Sequence, residues 1–250
     1  MGIIGGQLGY HLLHSSQRIL NGRGPSMDGS AYKDRSKLEV LLGPDIWSRI
    51  NGKTVIDFGC GTGGDTVEMA ARGAEVIGID VVDRYLTEAR QLAEQTGVAD
   101  RCTFTRKTDR KADVVISIDA FEHYGDPLAV LKQMAVLLKP KGKVIAAFGP
   151  TWYHPLGGHL FSVFPWSHLI FTERALIRWR SDFKTDGAKK FAEVEGGLNQ
   201  MTIRRFEKIV AQSPFTIEEF EPVPIKRLRP FANRFTREFT TAIVRCTLTL

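Results

Sequence analysis

Apolar positions along this chain fall into short runs separated by amphipathic stretches. Residues 54–58, 75–79, 103–105, 113–118 and 144–148 are brief runs, mostly rich in Val and Ile, and they read as strands. Between them, 65–72 and 83–95 carry helical periodicity, the second with Tyr85, Ala89 and Leu92 on one face. Asp126-Pro127 predicts an N-cap followed by proline in the first helical position. The helix it opens has Leu128, Leu131, Met134, Ala135 and Leu138 as its apolar stripe. Lys139-Pro140-Lys141-Gly142 ends that helix. A further helix is predicted from Lys37 to about Trp47. Strand and helix in strict alternation predict a doubly wound α/β fold, a parallel sheet with helices on both faces.

The alternation breaks after residue 149. Residues 150–200 contain no clean strand, 201–212 return to helical periodicity, and 215–220 and 242–249 read as strands. No helix is needed between those two, so the last strand is free to run antiparallel. At the other end, residues 1–30 are rich in Gly and Ser, and no strand fits before Gly-Ile-Ile-Gly-Gly-Gln-Leu-Gly at 2–9. Residues 1–36 are therefore expected to form a flexible arm or lid on a domain spanning 37–250.

Composition narrows the class. A chain of 250 residues with 43% hydrophobic content suits one sizeable domain. Cys60, Cys102 and Cys246 are scattered and odd in number, without metal-ligand spacing. Reduced thiols in a cytoplasm and no metal are expected. No basic segment precedes a long apolar core at the N-terminus, position 6 is Gly where myristoylation needs Ser or Thr, and no apolar run is long enough to span a bilayer. The net charge is +6, with Lys226, Arg227, Arg229, Arg234, Arg237 and Arg245 near the end. RNA, an anionic membrane or an acidic substrate are possible partners for such a segment. A solvated surface is preferred, because no aromatic-interleaved nucleic-acid motif accompanies it.

The densest chemical signal is at 55–64, Val-Ile-Asp-Phe-Gly-Cys-Gly-Thr-Gly-Gly, followed by a second run ending in Asp80. Gly59, Gly61 and Gly64 satisfy the dinucleotide pattern G-x-G-x-x-G, which admits a nicotinamide oxidoreductase. Asp57 just before the turn is a poor neighbour for a pyrophosphate and a good one for a cation. S-adenosylmethionine (SAM) carries a sulfonium and an ammonium group. Glycines let the backbone approach it, and the Asp80 carboxylate has acceptor oxygens for both ribose hydroxyls.

With Val55-Ile-Asp-Phe-Gly-Cys-Gly-Thr-Gly63, Ile79-Asp80, Phe121-Glu-His123, Asp126-Pro127 and Leu138-Lys-Pro-Lys-Gly142 together, the chain resembles class I SAM-dependent methyltransferases. It is most similar to the ubiquinone and menaquinone methyltransferase group, over residues 37–149 and loosely over the last strands. The resemblance implies a Rossmann-like sheet of seven strands, mostly parallel with an antiparallel last strand. It implies a donor site drawn from Asp57, Gly59, Cys60, Gly61, Gly63, Asp80, Val81 and Asp119. Asp109, on the short charged link at 106–112, is the candidate for the acid preceding the adenine contacts. Lys141 departs from the family, which often has a second glycine there.

Open α/β sheets bind ligands at the carboxyl ends of their strands, so the acceptor is sought in the loops after the fourth and fifth. His123 is open to two roles, general base or local hydrogen-bonding partner. His154 and His159 are the alternative bases, within an aromatic-rich insertion at 150–200 expected to form a substrate lid. Phe161, Phe164 and Trp166 are candidates for peripheral membrane contact. Neither an Asn/Asp-Pro-Pro-aromatic motif nor a Pro-Cys nucleophile is present, which argues against base-directed amino- and cytosine-C5 methylation. The expected function is methyl transfer from SAM to a small apolar or aromatic molecule, with oxygen favoured over carbon or nitrogen. The alternatives are an RNA or protein methyltransferase using the basic segment, and a SAM-binding scaffold without catalysis.

Overall fold

The computed structural model describes residues 2–19, 35–194 and 196–250. At its centre is a seven-stranded sheet in the order β3-β2-β1-β4-β5-β7-β6. The strands are β1 (Thr54–Phe58), β2 (Glu75–Ile79), β3 (Cys102–Thr105), β4 (Ala112–Ile118), β5 (Leu138–Phe148), β6 (Thr216–Pro224) and β7 (Thr241–Thr249). The first five pair in parallel, and β7 is antiparallel to both β5 and β6. The chain thus has the expected mostly parallel sheet with an antiparallel last strand. Strand order reverses between β1 and β4, so the crevice beside these two carboxyl ends is where a ligand fits.

The helices are α1 (Gly6–Ile19), α2 (Lys37–Leu42), α3 (Ile46–Ile50), α4 (Gly64–Ala71), α5 (Asp83–Gln95), α6 (Pro127–Leu137), α7 (Ser167–Ile170), α8 (Glu173–Arg180), α9 (Ile203–Ala211) and α10 (Arg237–Thr240). Successive strand residues point to opposite faces and find different cores. Ile56, Val115 and Ala146 pack with Leu131 and Met134 of α6 and Phe206 of α9. Their neighbours Val55, Val114 and Ile145 pack with Leu38 and Leu41 of α2, Ile50 of α3 and Met69 of α4. Each fully buried Leu or Ile here contributes about 1.5–3 kcal/mol relative to exposure.

Several boundaries shift for local reasons. The helix predicted over 37–47 is two, because Gly43 takes a left-handed φ of 97° and Pro44 follows it. In α5 the buried stripe is Leu86, Ala89 and Ala93, with Tyr85 and Leu92 only half-buried. In α6, Asp126 caps as predicted, its Oδ1 accepting from the Ala129 N–H at 3.0 Å. The strand after α6 begins at Leu138, earlier than 144, because Leu138 pairs with Ala112 before an irregularity in the ladder.

A third group of elements packs outside the sheet. Leu13 of α1 joins Phe161, Phe171, Leu176, Trp179 and Phe191 in a satellite core made mostly from the insertion after β5. Of the arm expected over 1–36, residues 6–19 are this helix packed on α8, and 20–34 lie outside the described residues. Phe161 is 1% exposed, while Phe164 and Trp166 are half-buried, the indole of Trp166 donating to the Tyr153 carbonyl at 2.9 Å. The aromatics expected to meet a membrane are chiefly internal packing.

Candidate active site

The glycine turn after β1 is pinned to the end of β2. The N–H groups of Gly59 and Cys60 donate to the Ile79 carbonyl at 2.8 and 3.0 Å, and Gly63 N–H donates to the Cys60 carbonyl at 3.0 Å. Asp80 continues the fastening, its two oxygens accepting from the N–H groups of Gly61 and Val82, each at 2.9 Å. An ionised carboxylate has further lone pairs, so Asp80 retains capacity for ligand hydroxyls. Val81 beside it is 74% exposed, an apolar surface next to the carboxylate.

The glycines serve different ends. Gly59 and Gly61 take left-handed φ values of 90° and 51°. A side chain on Gly61 would meet nothing within 4 Å, so this peptide is open to a ligand's approach. A Cβ on Gly63 would stand 2.6 Å from Ala89 Cβ; close packing of α5 is what requires glycine there. Cys60 is buried against α4 and α5, with its thiol pushed well up by burial.

Four acids come together at this edge. Asp57, only 4% exposed, accepts from Thr66 Oγ1 at 2.6 Å. Burial, then the charge of Asp65, raises its carboxyl to about 7, against the Thr66 bond and the Lys37 charge. Lys37 Nζ stands 3.0 Å from Asp119 and 3.4 Å from Asp65. The two acids hold the ammonium protonated far up the scale, although burial alone acts the other way. Asp119 follows β4 with φ of 49°, its N–H donating to the Ala147 carbonyl at 2.9 Å. Burial raises its carboxyl, and Lys37 opposes that rise. Among the described residues, four carboxyl groups stand against the Lys37 ammonium beside an open glycine peptide, an arrangement that fits a cationic donor with a ribose diol.

Asp109 does not join them. It is exposed on the link from β3 to β4, and neighbouring Arg110 stands 3.9 Å from Glu75, at the opposite end of β2 from Asp80. A chain returning from the carboxyl end of β3 to the start of β4 passes that end. Among the described residues, no three His, Cys, Asp or Glu side chains are grouped to hold a metal ion.

Beyond β4, the segment 119–124 turns under a clamp that the sequence did not signal. Asn199 donates from Nδ2 to the carbonyls of Phe121 and Tyr124 at 2.6 and 2.8 Å, and its N–H donates to the Glu122 carbonyl at 2.9 Å. Glu122 is 2% exposed and accepts from Gly149 N–H at 3.2 Å. Burial, then the Asp119 charge, raises it to about 8, so it is largely protonated near neutrality. Tyr124 Oη lies 2.8 Å from Ser117 Oγ and donates to the Phe58 carbonyl at 3.2 Å.

The three candidate histidines differ in what their nitrogens do. His123 Nδ1 is 2.7 Å from the Gly197 carbonyl, and His123 and His159 meet edge-on with ring centres 5.3 Å apart. His154 Nδ1 accepts from Leu156 N–H at 2.9 Å. Burial lowers His154 to about 4, and lowers His159 to about 4 with help from the neighbouring His123. His159 Nε2 is buried without a hydrogen-bond partner. His168, near His159, donates to the Trp152 carbonyl at 2.6 Å and is also lowered to about 4 by burial.

The family described as methyltransferase domain matches residues 35–219. The chain belongs to that family. SAM is the methyl donor this methyltransferase's site is built to hold. A ubiquinone biosynthesis O-methyltransferase of Idiomarina loihiensis is 38% identical over 99 residues, 37% of this chain and 41% of that protein. The protein of that description from Cereibacter sphaeroides strain KD131 is 40% identical over 101 residues, 38% of this chain and 41% of that protein. The methyltransferase therefore spans about two fifths of the length of these curated relatives. Magnesium protoporphyrin IX methyltransferase from Synechocystis PCC 6803, crystallised with bound SAM, superposes with a TM-score of 0.51 at 18% identity, covering 94% of this chain and 90% of that one. Mitomycin 7-O-methyltransferase gives 0.53 at 15% identity, covering 96% and 60%. At these identities the likeness shows the Rossmann-like fold.

Proposed function

We propose that this methyltransferase moves the methyl group of SAM to a hydroxyl oxygen of a small, apolar or aromatic molecule, with His123 as general base. When bound, SAM supplies a methyl group already activated by its sulfonium. The protein's share of the work is alignment, water exclusion and removal of the acceptor's proton. Asp80 would hold the ribose and Gly59 and Gly61 the close approach. Asp57, Asp65 and Asp119 would supply negative charge for the donor, with Lys37 limiting their mutual repulsion.

The observation that carries the base assignment is the bond between His123 Nδ1 and the Gly197 carbonyl at 2.7 Å. A carbonyl only accepts, so Nδ1 carries the proton and neutral His123 keeps its lone pair on Nε2. His154 has the reverse arrangement, because its Nδ1 is occupied by the Leu156 N–H. Burial makes His159 a weak base, and its place beside His123 suits a neutral hydrogen-bonding partner to the acceptor. The partial matches to proteins described as O-methyltransferases support oxygen as the acceptor atom. The free thiols of Cys60, Cys102 and Cys246 suit a reducing, cytoplasmic setting.

The test is a pair of measurements on His123→Ala, His154→Ala and His159→Ala. With labelled SAM and a panel of phenols and catechols, turnover of H123A should fall about 10²–10⁴-fold while calorimetric SAM affinity holds. Full turnover in H123A would remove the base from the mechanism and leave alignment alone. A panel yielding no acceptor for the wild type, with SAM still bound, would favour a non-catalytic scaffold.

A further inference from the structure

β6 ends at Pro224 and β7 begins at Thr241, and the two are joined by an excursion over 225–240. β7 is antiparallel to β5 and β6, with Pro224 opposite Thr241 and Val244 opposite Phe148. The excursion therefore leaves the sheet at the carboxyl edge of the parallel strands, the edge that carries the donor site. It also touches the insertion after β5, with the rings of Tyr153 and Phe239 5.1 Å apart.

Its surface combines exposed aromatic rings with a run of cations. Phe231, Phe235 and Phe239 are 67%, 74% and 46% exposed. Between Glu221 and Glu238 stand Lys226, Arg227, Arg229, Arg234 and Arg237, with no acidic residue among them. The nearby acids are already engaged, one of them with Arg237. Glu221 pairs with Arg245 at 3.0 Å and Glu207 with Arg237 at 2.6 Å, and Glu238 accepts from the first N–H groups of α9 at 3.1 and 2.9 Å. Among the described residues, Lys226, Arg227, Arg229 and Arg234 form no ion pair.

The exposed rings are also held in place. Asn233 Oδ1 accepts from the N–H groups of Phe235 and Thr236 at 2.9 and 3.2 Å, while Thr236 Oγ1 donates to the Phe231 carbonyl at 2.6 Å. A turn that fixes apolar rings outward lowers the ordering cost of inserting them into a partner.

We propose that this excursion docks the protein on an anionic bilayer, its phenylalanines in the interface and its cations on the headgroups. Lipid is favoured over RNA because phenylalanine has no polar handle, and because Arg234 already lies over the Phe235 ring at 4.5 Å, where a base would stack. Docked this way, the carboxyl edge of the sheet would meet the membrane surface. Delivery of a lipophilic acceptor to that edge rests on the proposed function, but docking itself does not.

The test is flotation of the full chain with vesicles of phosphatidylcholine alone or with about 30 mol% phosphatidylglycerol, at about 0.05 M and about 0.5 M NaCl. The wild type should float with the anionic vesicles at low salt and less at high salt. Neutralising Lys226, Arg227, Arg229 and Arg234 to Gln should lower partitioning about fivefold per charge at low salt. Phe231→Ser with Phe235→Ser should lower it about tenfold or more at either salt. Both sets change exposed side chains, and unchanged circular dichroism and SAM affinity would confirm a folded protein. Wild type that stays with the soluble fraction at low salt would overturn the proposal. So would flotation untouched by either set, or single-stranded RNA binding tighter than vesicles and indifferent to loss of the phenylalanines. No acceptor is present, so failure here leaves methyl transfer standing, and failure of transfer leaves docking standing.

Discussion

Asp57→Asn separates charge from shape at the centre of the donor site. Burial holds the Asp57 carboxyl at about 7 rather than 3.8, so the folded chain binds this proton more tightly than the unfolded one. The stability Asp57 contributes is then complete below 3.8 and is lost as pH rises through about 7. At about 1.4 kcal/mol per pH unit, the whole loss is about 4 kcal/mol. Asparagine keeps the volume, can accept the Thr66 bond and does not titrate. In urea unfolding without added SAM, the stability of D57N relative to wild type should improve with pH, by about 3 kcal/mol between about pH 5 and about pH 8. The same change should weaken SAM about tenfold or more at about pH 8, since an opposite charge at close range is worth one to three pKa units. Wild-type affinity for SAM should therefore tighten as pH rises toward 7, S-adenosylhomocysteine should respond less, and D57N should lack that pH dependence. Parallel stability curves for the two proteins across this range would refute the reasoning, because they would mean that Asp57 titrates alike in both states.

Other substitutions probe separate links. H123A should lose turnover while keeping SAM, as measured with labelled donor and calorimetry, and H154A should stay within about tenfold of wild type. Asn199→Ala removes two donor bonds to the 121–124 turn, so chemical denaturation should show a loss of about 2 kcal/mol. Gly63→Ala places a Cβ against Ala89 at a left-handed φ and should cost about 1–3 kcal/mol, with Ala89→Gly recovering only part of the steric share in a double-mutant cycle, since the Ala89 Cα and the Phe104 ring stay close. The vesicle flotation above completes the set.

The donor half of the site was legible because its parts are close in sequence. The 55–64 turn and Asp80 sit at the ends of strands that short apolar runs locate, and β2 and α5 emerged at their predicted bounds. Lys37 was legible only as a helix residue, since its partners Asp65 and Asp119 reach it through tertiary packing. Asn199 was silent for the same reason. The histidines were visible as residue types, but burial and the partner of each Nδ1 separate them, and neither is written locally. The aromatic-rich insertion at 150–200 is expected to form a substrate lid, and several of its rings, Phe161, Phe171 and Phe191, fill a satellite core, because an insertion this long must bury its own apolar surface. Asp109 is a candidate through the family resemblance alone, and the link that carries it runs to the far end of the sheet.

The position of β7 bears on how the chain reaches its native state. β7 is the last strand in sequence, yet it occupies an interior slot and is the partner that joins β6 to the other strands. The sheet cannot grow outward strand by strand from β5. While β7 is unplaced, β5 and β6 both present open edges, the species most prone to pair with another chain. Assembly of this half of the protein is thus a long-range event, in which 216–224 joins the sheet only through the pairing of 241–249 with β5. A ribosome-tethered chain ending before β7 should hold the first five strands protected from proteolysis while 216–224, whose strand partner is β7, remain open to cleavage.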